Sequence, residues 1–322
     1  MEKAMKLIPY KVDNQLVEAQ QIPEGVELIQ APSLWSKGFK GKDILIAVID
    51  TGCDAQHPDL EGRVVGGRNF TDDDNGDPEV FTDYNGHGTH VAGTIAAVNA
   101  ESGVIGVAPE AKLLILKALA GEEGSGAYEW IVNAIDYAIS EKADIISMSL
   151  GGPEDVPELH EVIQKAVQNQ ILVVCAAGNE GDGNSKTAEF SYPGSYNEVI
   201  SAGAVNLQRK SSYFTNSNDE IDAVAPGEKI ISTIPGGKYA VFSGTSMSAP
   251  HVAGALALVK LLSESEFERT LTEPEIYAQL MKRTIPLGFP KSLEGNGLIY
   301  LTAPDLLADF LKKENITASI GV

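Results

Sequence analysis

Residues 43–52 read DILIAVIDTG. Ile44 to Ile49 is an unbroken apolar run of strand length, with Asp43 before it and Asp50-Thr51-Gly52 after it. A strand without polar alternation is buried on both faces, the habit of parallel sheets covered by helices. Similar runs recur at 113–116 (LLIL), 145–148 (IISM), 171–176 (ILVVCA) and 199–205 (VISAGAV). Helix-period segments lie between them. Tyr128–Ile139 sets Trp130, Ile131, Ala134, Ile135 and Ala138 on one face, and Pro157–Val167 does the same with Leu159, Val162, Ile163 and Ala166. His87–Val98 and Ser246–Leu262 each open in a Gly/Ser-rich turn. Such alternation predicts an α/β three-layer fold, a mostly parallel central sheet with helices on both faces.

The chain has 322 residues with 24 basic and 45 acidic side chains, a formal net charge of −21. That balance repels phosphate backbones and anionic lipid, so neither a nucleic-acid partner nor a membrane surface is expected. Two cysteines cannot build a disulfide scaffold. The N-terminus, MEKAMKLIPYKVDNQ, interleaves charges with short apolar pieces and carries no export-type apolar core. The charge-free stretch Tyr239–Val259 is broken by Ser243, Gly244, Thr245, Ser246, Ser248 and Pro250, unlike a membrane span. The expected location is cytoplasmic. Residues 1–22 read as an arm rather than a core element, polar apart from the cluster Leu7-Ile8-Pro9-Tyr10.

In open α/β sheets, ligands gather at the carboxyl ends of strands, so the residues just after each apolar run matter most. Asp50 ends the first run, where a carboxylate needs a partner; a helix cap or a metal ligand would also fit. His87 stands in the glycine-flanked NGHGTHV (85–91); HGTH lacks the Glu of a zinc-protease motif, and a core histidine is the plain alternative. Ser246, in SGTSMSAPH (243–251), opens an apolar helix and is either an N-cap or a nucleophile beside backbone donors. This is not the G-x-S-x-G elbow of α/β-hydrolases. Asn179, in AAGNEG (176–181), is either a turn residue or an amide donor aimed at a reacting carbonyl.

Together, Asp50 in DTG, His87 in NGHGTHVAGT and Ser246 in GTSMSAPHVAG resemble, in that chain order, the subtilisin (subtilase) family of serine endopeptidases. The resemblance runs over about residues 19–300, with SMSLGG (147–152) and AAGNEG adding to it. It implies the three-layer subtilisin fold, with Ser246 as nucleophile, His87 as general base and acid, Asp50 as its orienting carboxylate and Asn179 as oxyanion donor. Thr245 would add a weaker contribution.

The resemblance also implies a cleft for protein and peptide substrates. Gly124-Ser125-Gly126 and Ser149-Leu150-Gly151 would sandwich an extended peptide, with Tyr128, Ile131 and Leu150 around the fourth residue upstream of the cut. Ser149–Gly152 and Ala176–Gly178 would wall the primary pocket, with Ser191 at its base and Glu180 at its rim, leaving room for large apolar or aromatic side chains. Tyr192-Pro193 falls where the family has a cis peptide.

Structural Ca2+ is implied at Gln20, Asp59 and the loop Val98–Val104, including Ser102, although Ala100 stands where secreted members use an Asn ligand. A weaker cation site maps to carbonyls of Gly194, Tyr196 and Val199, with Glu220 and Asp222 nearby. The acidic run 72–77 departs from EF-hand spacing and reads as a solvated loop. Cys53 and Cys175 read as small buried hydrophobes, with a regulatory thiol as the alternative.

Leu7-Ile8-Pro9-Tyr10 resembles the LIPY extension of the intracellular subtilisins. This implies residues 1–18 as an inhibitory extension lying across the active site, residues 19–322 as the peptidase domain with a C-terminal tail, and a homodimer. A catalytically dead subtilase acting as a binding module, or an esterase or ligase on the same fold, are the rival readings.

Overall fold

The computed structural model describes residues 4–15, 19, 22–98 and 103–313. The chain opens with strands β1 (Ala4–Leu7) and β2 (Lys11–Gln15), then short helices α1 (Glu24–Leu28) and α2 (Ala31–Trp35). The alternating part follows: β3 (Leu45–Asp50), β4 (Val64–Asn69), α3 (His87–Ala96), β5 (Lys112–Lys117), β6 (Ser125–Ala127), α4 (Tyr128–Ser140), β7 (Ile145–Met148), β8 (Leu150–Gly151), α5 (Pro157–Gln168), β9 (Leu172–Ala176) and β10 (Ile200–Val205). It continues through β11 (Ile221–Pro226), β12 (Ile230–Ile234), β13 (Lys238–Ser243), α6 (Thr245–Phe267), α7 (Glu273–Met281), β14 (Thr284–Ile285), α8 (Lys291–Glu294), β15 (Leu298–Ile299) and α9 (Ala303–Lys313).

Nine strands form the central sheet in the order β14-β15-β11-β10-β9-β7-β3-β5-β4, with only the β14–β15 pairing antiparallel. Successive residues of β3 feed opposite layers. Ile46 and Val48 pack with Val91 and Ile95 of α3 and Leu256 and Val259 of α6, whereas Ala47 and Ile49 pack with Ile131 and Ile135 of α4 and Ile163 of α5. This is the expected three-layer α/β architecture. β3 is flanked by β5 and β7, so the chain turns in opposite directions on its two sides, and a crevice opens where those strands end. Asp50 is the last residue of β3.

Helix α6 contains Pro250, whose missing N–H would have bonded the Ser246 carbonyl one turn back. The Ser149 hydroxyl donates to that carbonyl instead, at 2.9 Å. The helix therefore tolerates its proline through a side chain brought from the end of β7.

The arm departs from the expectation of a non-core segment. Met5, Leu7 and Ile8 are buried, and β1 and β2 each pair with strands of the body. In β1 the burial alternates, with Met5 and Leu7 inward and Ala4 and Lys6 outward.

Candidate active site

Asp50 and His87 meet at the crevice. Asp50 Oδ1 accepts the Thr51 N–H at 2.7 Å and lies 2.8 Å from His87 Nδ1, both side chains being fully buried. The imidazole is delivered by the first residue of α3, after Gly86 at φ 99° makes the turn. His87 Nε2 has no hydrogen-bond partner among the described residues. His90, one turn on, is a core histidine. Its ring stacks on Phe242 at 4.4 Å, its Nε2 lies 3.0 Å from the Ile230 carbonyl, and burial lowers its pKa to about 3.

Ser246 sits in the first turn of α6. Its hydroxyl donates to the Ser149 carbonyl at 3.2 Å rather than to His87. Asn179 follows β9, and its side-chain oxygen accepts both the N–H and the hydroxyl of Thr245, each at 2.9 Å. That pair fixes the amide so that Nδ2 points away from Thr245. It donates to the carbonyl of Pro9 at 2.7 Å.

The arm fills the cleft expected for an extended peptide. β1 lies antiparallel between β6 and β8, with Met5 opposite Gly126, Lys6 opposite Ser125 and Gly151, and Leu7 opposite Leu150. The glycines permit this close approach: a Cβ on Gly124 would lie 2.3 Å from Leu7 Cδ1. Met5 packs in the apolar cluster that includes Ile131 and Leu150, near the Tyr128 hydroxyl. Ile8 lies against Gly151 beside Ser191, in the expected primary pocket, next to a cavity of about 540 Å³ lined also by Glu154, Glu180 and Phe190.

Tyr10 closes over the histidine. Its ring centre is 4.7 Å from that of His87, and its hydroxyl donates to Asn85 Oδ1 at 3.2 Å. Burial, then the charges of Asp50 and Asp83, push its pKa up to about 12. Beyond it, β2 pairs with β13, and the Ser243 hydroxyl donates to Asp13. This second anchor was not anticipated. KVDNQ is too polar to read as a strand, and only the free edge of β13 makes it one.

Of the expected cation ligands, Gln20 and Ser102, like Ala100, lie outside the described residues. Asp59 is fully buried; its carboxylate accepts the Val104 N–H at 2.6 Å and the Tyr239 hydroxyl at 3.1 Å, and its carbonyl accepts the Val98 N–H at 2.8 Å. At the second region, Val199 N–H donates to the Tyr196 carbonyl at 3.3 Å, and Asp222 accepts from Ser201 N–H and the Tyr277 hydroxyl. Gly194 packs its Cα toward the Ala176 carbonyl, after the cis peptide Tyr192–Pro193. Among the described residues, no cluster of three or more His, Cys, Asp or Glu side chains is arranged to hold a metal ion.

The acidic run 72–77 is exposed apart from the half-buried Asp73 and Asp74. Asp73 pairs at 3.0 Å with Lys117, a fully buried ammonium that also donates to the Thr51 carbonyl at 2.7 Å. Cys53 and Cys175 are free and buried, and burial pushes both thiols up.

A model of the subtilase family matches residues 41–300, and the chain belongs to that family: it is a subtilisin-like serine endopeptidase, a hydrolase. It is 63% identical over 327 residues to the "Intracellular serine protease" of Paenibacillus polymyxa, covering the whole of both chains. It is 58% identical over 316 residues to the "Major intracellular serine protease" of Bacillus subtilis (strain 168), covering 98% of this chain and 99% of that one. With "Subtilisin E" of Bacillus subtilis (strain 168) the identity is 48% over 241 residues, 75% of this chain and 61% of that protein. No helix among the described residues is long and apolar enough to cross a membrane.

Proposed function

We propose that this chain is a cytoplasmic endopeptidase that cuts proteins with Asp50, His87, Ser246 and Asn179, and that its own residues 1–18 hold it inactive until they are removed from the peptidase domain, 19–322. The observation that carries this reading is the 2.7 Å hydrogen bond from Asn179 to the Pro9 carbonyl, two residues past a strand held between two cleft strands.

In the proposed reaction, Ser246 Oγ leaves the Ser149 carbonyl, gives its proton to His87 Nε2 and attacks the substrate carbonyl. Asp50 keeps the other ring nitrogen protonated and stabilises the imidazolium. Asn179 Nδ2 and the Ser246 N–H receive the developing oxyanion. His87 then protonates the leaving amine, and water repeats the sequence on the acyl-enzyme.

The bound arm escapes this reaction because it is out of step by one residue. Met5 and Ile8 occupy the pockets for the fourth and first residues upstream of a cut, so Ile8 should present its carbonyl to Asn179. Pro9 presents its own instead. Tyr10 also covers the imidazole. Free substrate in correct register would bind by the same main-chain pairing, which leaves sequence preference broad. The space beside Ile8 favours a large apolar or aromatic side chain.

The reading extends to Ca2+ and to a homodimer. The buried carboxylate of Asp59 and the carbonyls of Val98 and Val104 are hard oxygen donors of the kind calcium takes, and bound calcium would supply structural support for the 98–104 loop rather than chemistry. The weaker site remains a proposal on the carbonyls of Gly194, Tyr196 and Val199. The homodimer rests on family resemblance.

The test is hydrolysis of a peptide anilide after the arm is removed, with phenylmethylsulfonyl fluoride abolishing it. Folded Ser246→Ala should be inactive; activity within about tenfold of the parent would overturn the assignment. Peptide turnover exceeding ester turnover separates an endopeptidase from an esterase on the same fold.

A further inference from the structure

Asp83 takes no part in the chemistry above, yet it is among the most heavily bonded side chains near it. Its carboxylate is 4% exposed. Oδ1 accepts from Thr51 Oγ1 at 2.9 Å, the Asn85 N–H at 3.0 Å and the Gly86 N–H at 2.8 Å. Oδ2 accepts from the Thr89 N–H at 2.9 Å and the Thr89 hydroxyl at 2.6 Å. A buried carboxylate is costly unless its lone pairs are filled, and here five donors fill them.

The donors come from two elements. Thr51 follows Asp50 at the end of β3, whereas Gly86 and Thr89 bracket His87 at the start of α3. One carboxylate therefore ties together the two backbones that carry the Asp50–His87 hydrogen bond. Thr51 is held from its other side by Lys117 on its carbonyl, and its Oγ1 also accepts the Gly88 N–H at 2.9 Å. The junction has no slack: a Cβ on Gly88 would lie 2.1 Å from the Gly52 carbonyl oxygen. A negative charge at the N-terminus of α3 is also favoured by the helix dipole.

We propose that Asp83 is a positioning residue, which docks the start of α3 on the end of β3 so that His87 Nδ1 stays within hydrogen-bond reach of Asp50. The proposal rests on the triad reading above. An ordinary helix cap would stabilise α3 without setting the distance between the two elements.

The test is proton NMR of the full-length chain, where a proton held between an imidazole nitrogen and a carboxylate resonates far downfield. Asp83→Asn keeps the shape but turns a donor toward the Thr89 N–H. Thr51→Val removes both side-chain bonds that cross from β3, the one to Asp83 and the one from the Gly88 N–H, and Thr89→Val removes the hydroxyl's bonds to Asp83 and from the Asp54 N–H while leaving the Thr51–Asp83 bond in place. The expected result is a downfield signal shifted or broadened away in Asp83→Asn and Thr51→Val, but retained in Thr89→Val despite a lower melting temperature. A signal unmoved in folded Asp83→Asn and Thr51→Val would overturn the proposal. If Asp83→Asn does not fold, Asp83→Glu, which keeps the charge but cannot seat both oxygens on the same donors, takes its place, and an unmoved signal in it would overturn the proposal. In the processed enzyme, Asp83→Asn and Thr51→Val should lower kcat, by up to about 10²-fold, with KM little changed. The triad reading fails separately, as absence of hydrolysis by the processed parent while the signal still responds to Asp83.

Discussion

Asn179 Nδ2 donates to the carbonyl of Pro9 at 2.7 Å, while the side chain set against Gly151 beside Ser191, where the primary pocket is proposed, is that of Ile8. Neighbouring residues of the same segment thus engage the proposed pocket and the proposed donor, an offset that would let a bound peptide occupy the cleft and survive. Proline fixes its own φ and biases the preceding residue toward extended backbone, so the offset is built into the Ile8-Pro9 pair.

Replacing Pro9 by Ala should restore register. The expected outcome is self-cleavage within the arm, beside residue 8, seen as a new N-terminus by mass spectrometry. An arm that stays intact in Pro9→Ala on a chain whose processed form is active would show that the offset does not protect it.

Asn179→Leu is nearly isosteric and donates nothing. In subtilisin the loss of such a donor is known to lower kcat about 10²–10³-fold, and the same fall with little change in KM is expected here. A change confined to KM would make Asn179 a substrate-binding residue. The substitution should also loosen the arm, because it removes the only hydrogen bond described to the Pro9 carbonyl.

Calcium should raise the melting temperature and a chelator lower it, and Asp59→Ala should remove most of that response. The melting temperature of Asp59→Ala should be lower even without calcium, since its carboxylate holds the Val104 N–H and the Tyr239 hydroxyl. A melting curve of the parent that ignores chelator would leave the loop without a cation.

Two histidines make the fold sensitive to acid. Burial lowers His90 to about 3 and His251 to about 4, from 6.5 in the unfolded chain. Below pH 6.5 the unfolded state therefore binds protons that the native state refuses. Stability is fully present above that pH and is lost as pH falls toward 4, by on the order of 3 kcal/mol for each ring. Chemical denaturation between pH 7 and pH 4.5 should show the decline, and His251→Leu should flatten it. An equally steep decline in that variant would assign the effect elsewhere.

The central strands were legible because burial on both faces leaves continuous apolar runs. Residues 145–148 match β7, and the other runs fall within a residue of β3, β5, β9 and β10. Although not among the expected helices, α7 carried a start signal, Thr272 with Glu275 forming a capping box. β4 did not, because the two glycines of VVGGRN hide it. The residues around Asp50, His87, Ser246 and Asn179 were readable from local motifs, but their settings were not. The Ser246 hydroxyl on the Ser149 carbonyl, the Thr245 clamp on Asn179 and the Lys117–Asp73 pair join residues far apart in the chain, so they become visible only once the sheet is assembled.

The account depends most on the arm. Turnover of a small peptide anilide should be compared between the intact chain, its N-terminus verified, and a chain starting near Ala19. A segment tethered beside its site acts at high effective concentration, so the intact chain should be nearly inactive and the shortened one active. Equal turnover by the two forms would contradict the account, leaving the strand between β6 and β8 as an extension that substrate displaces freely.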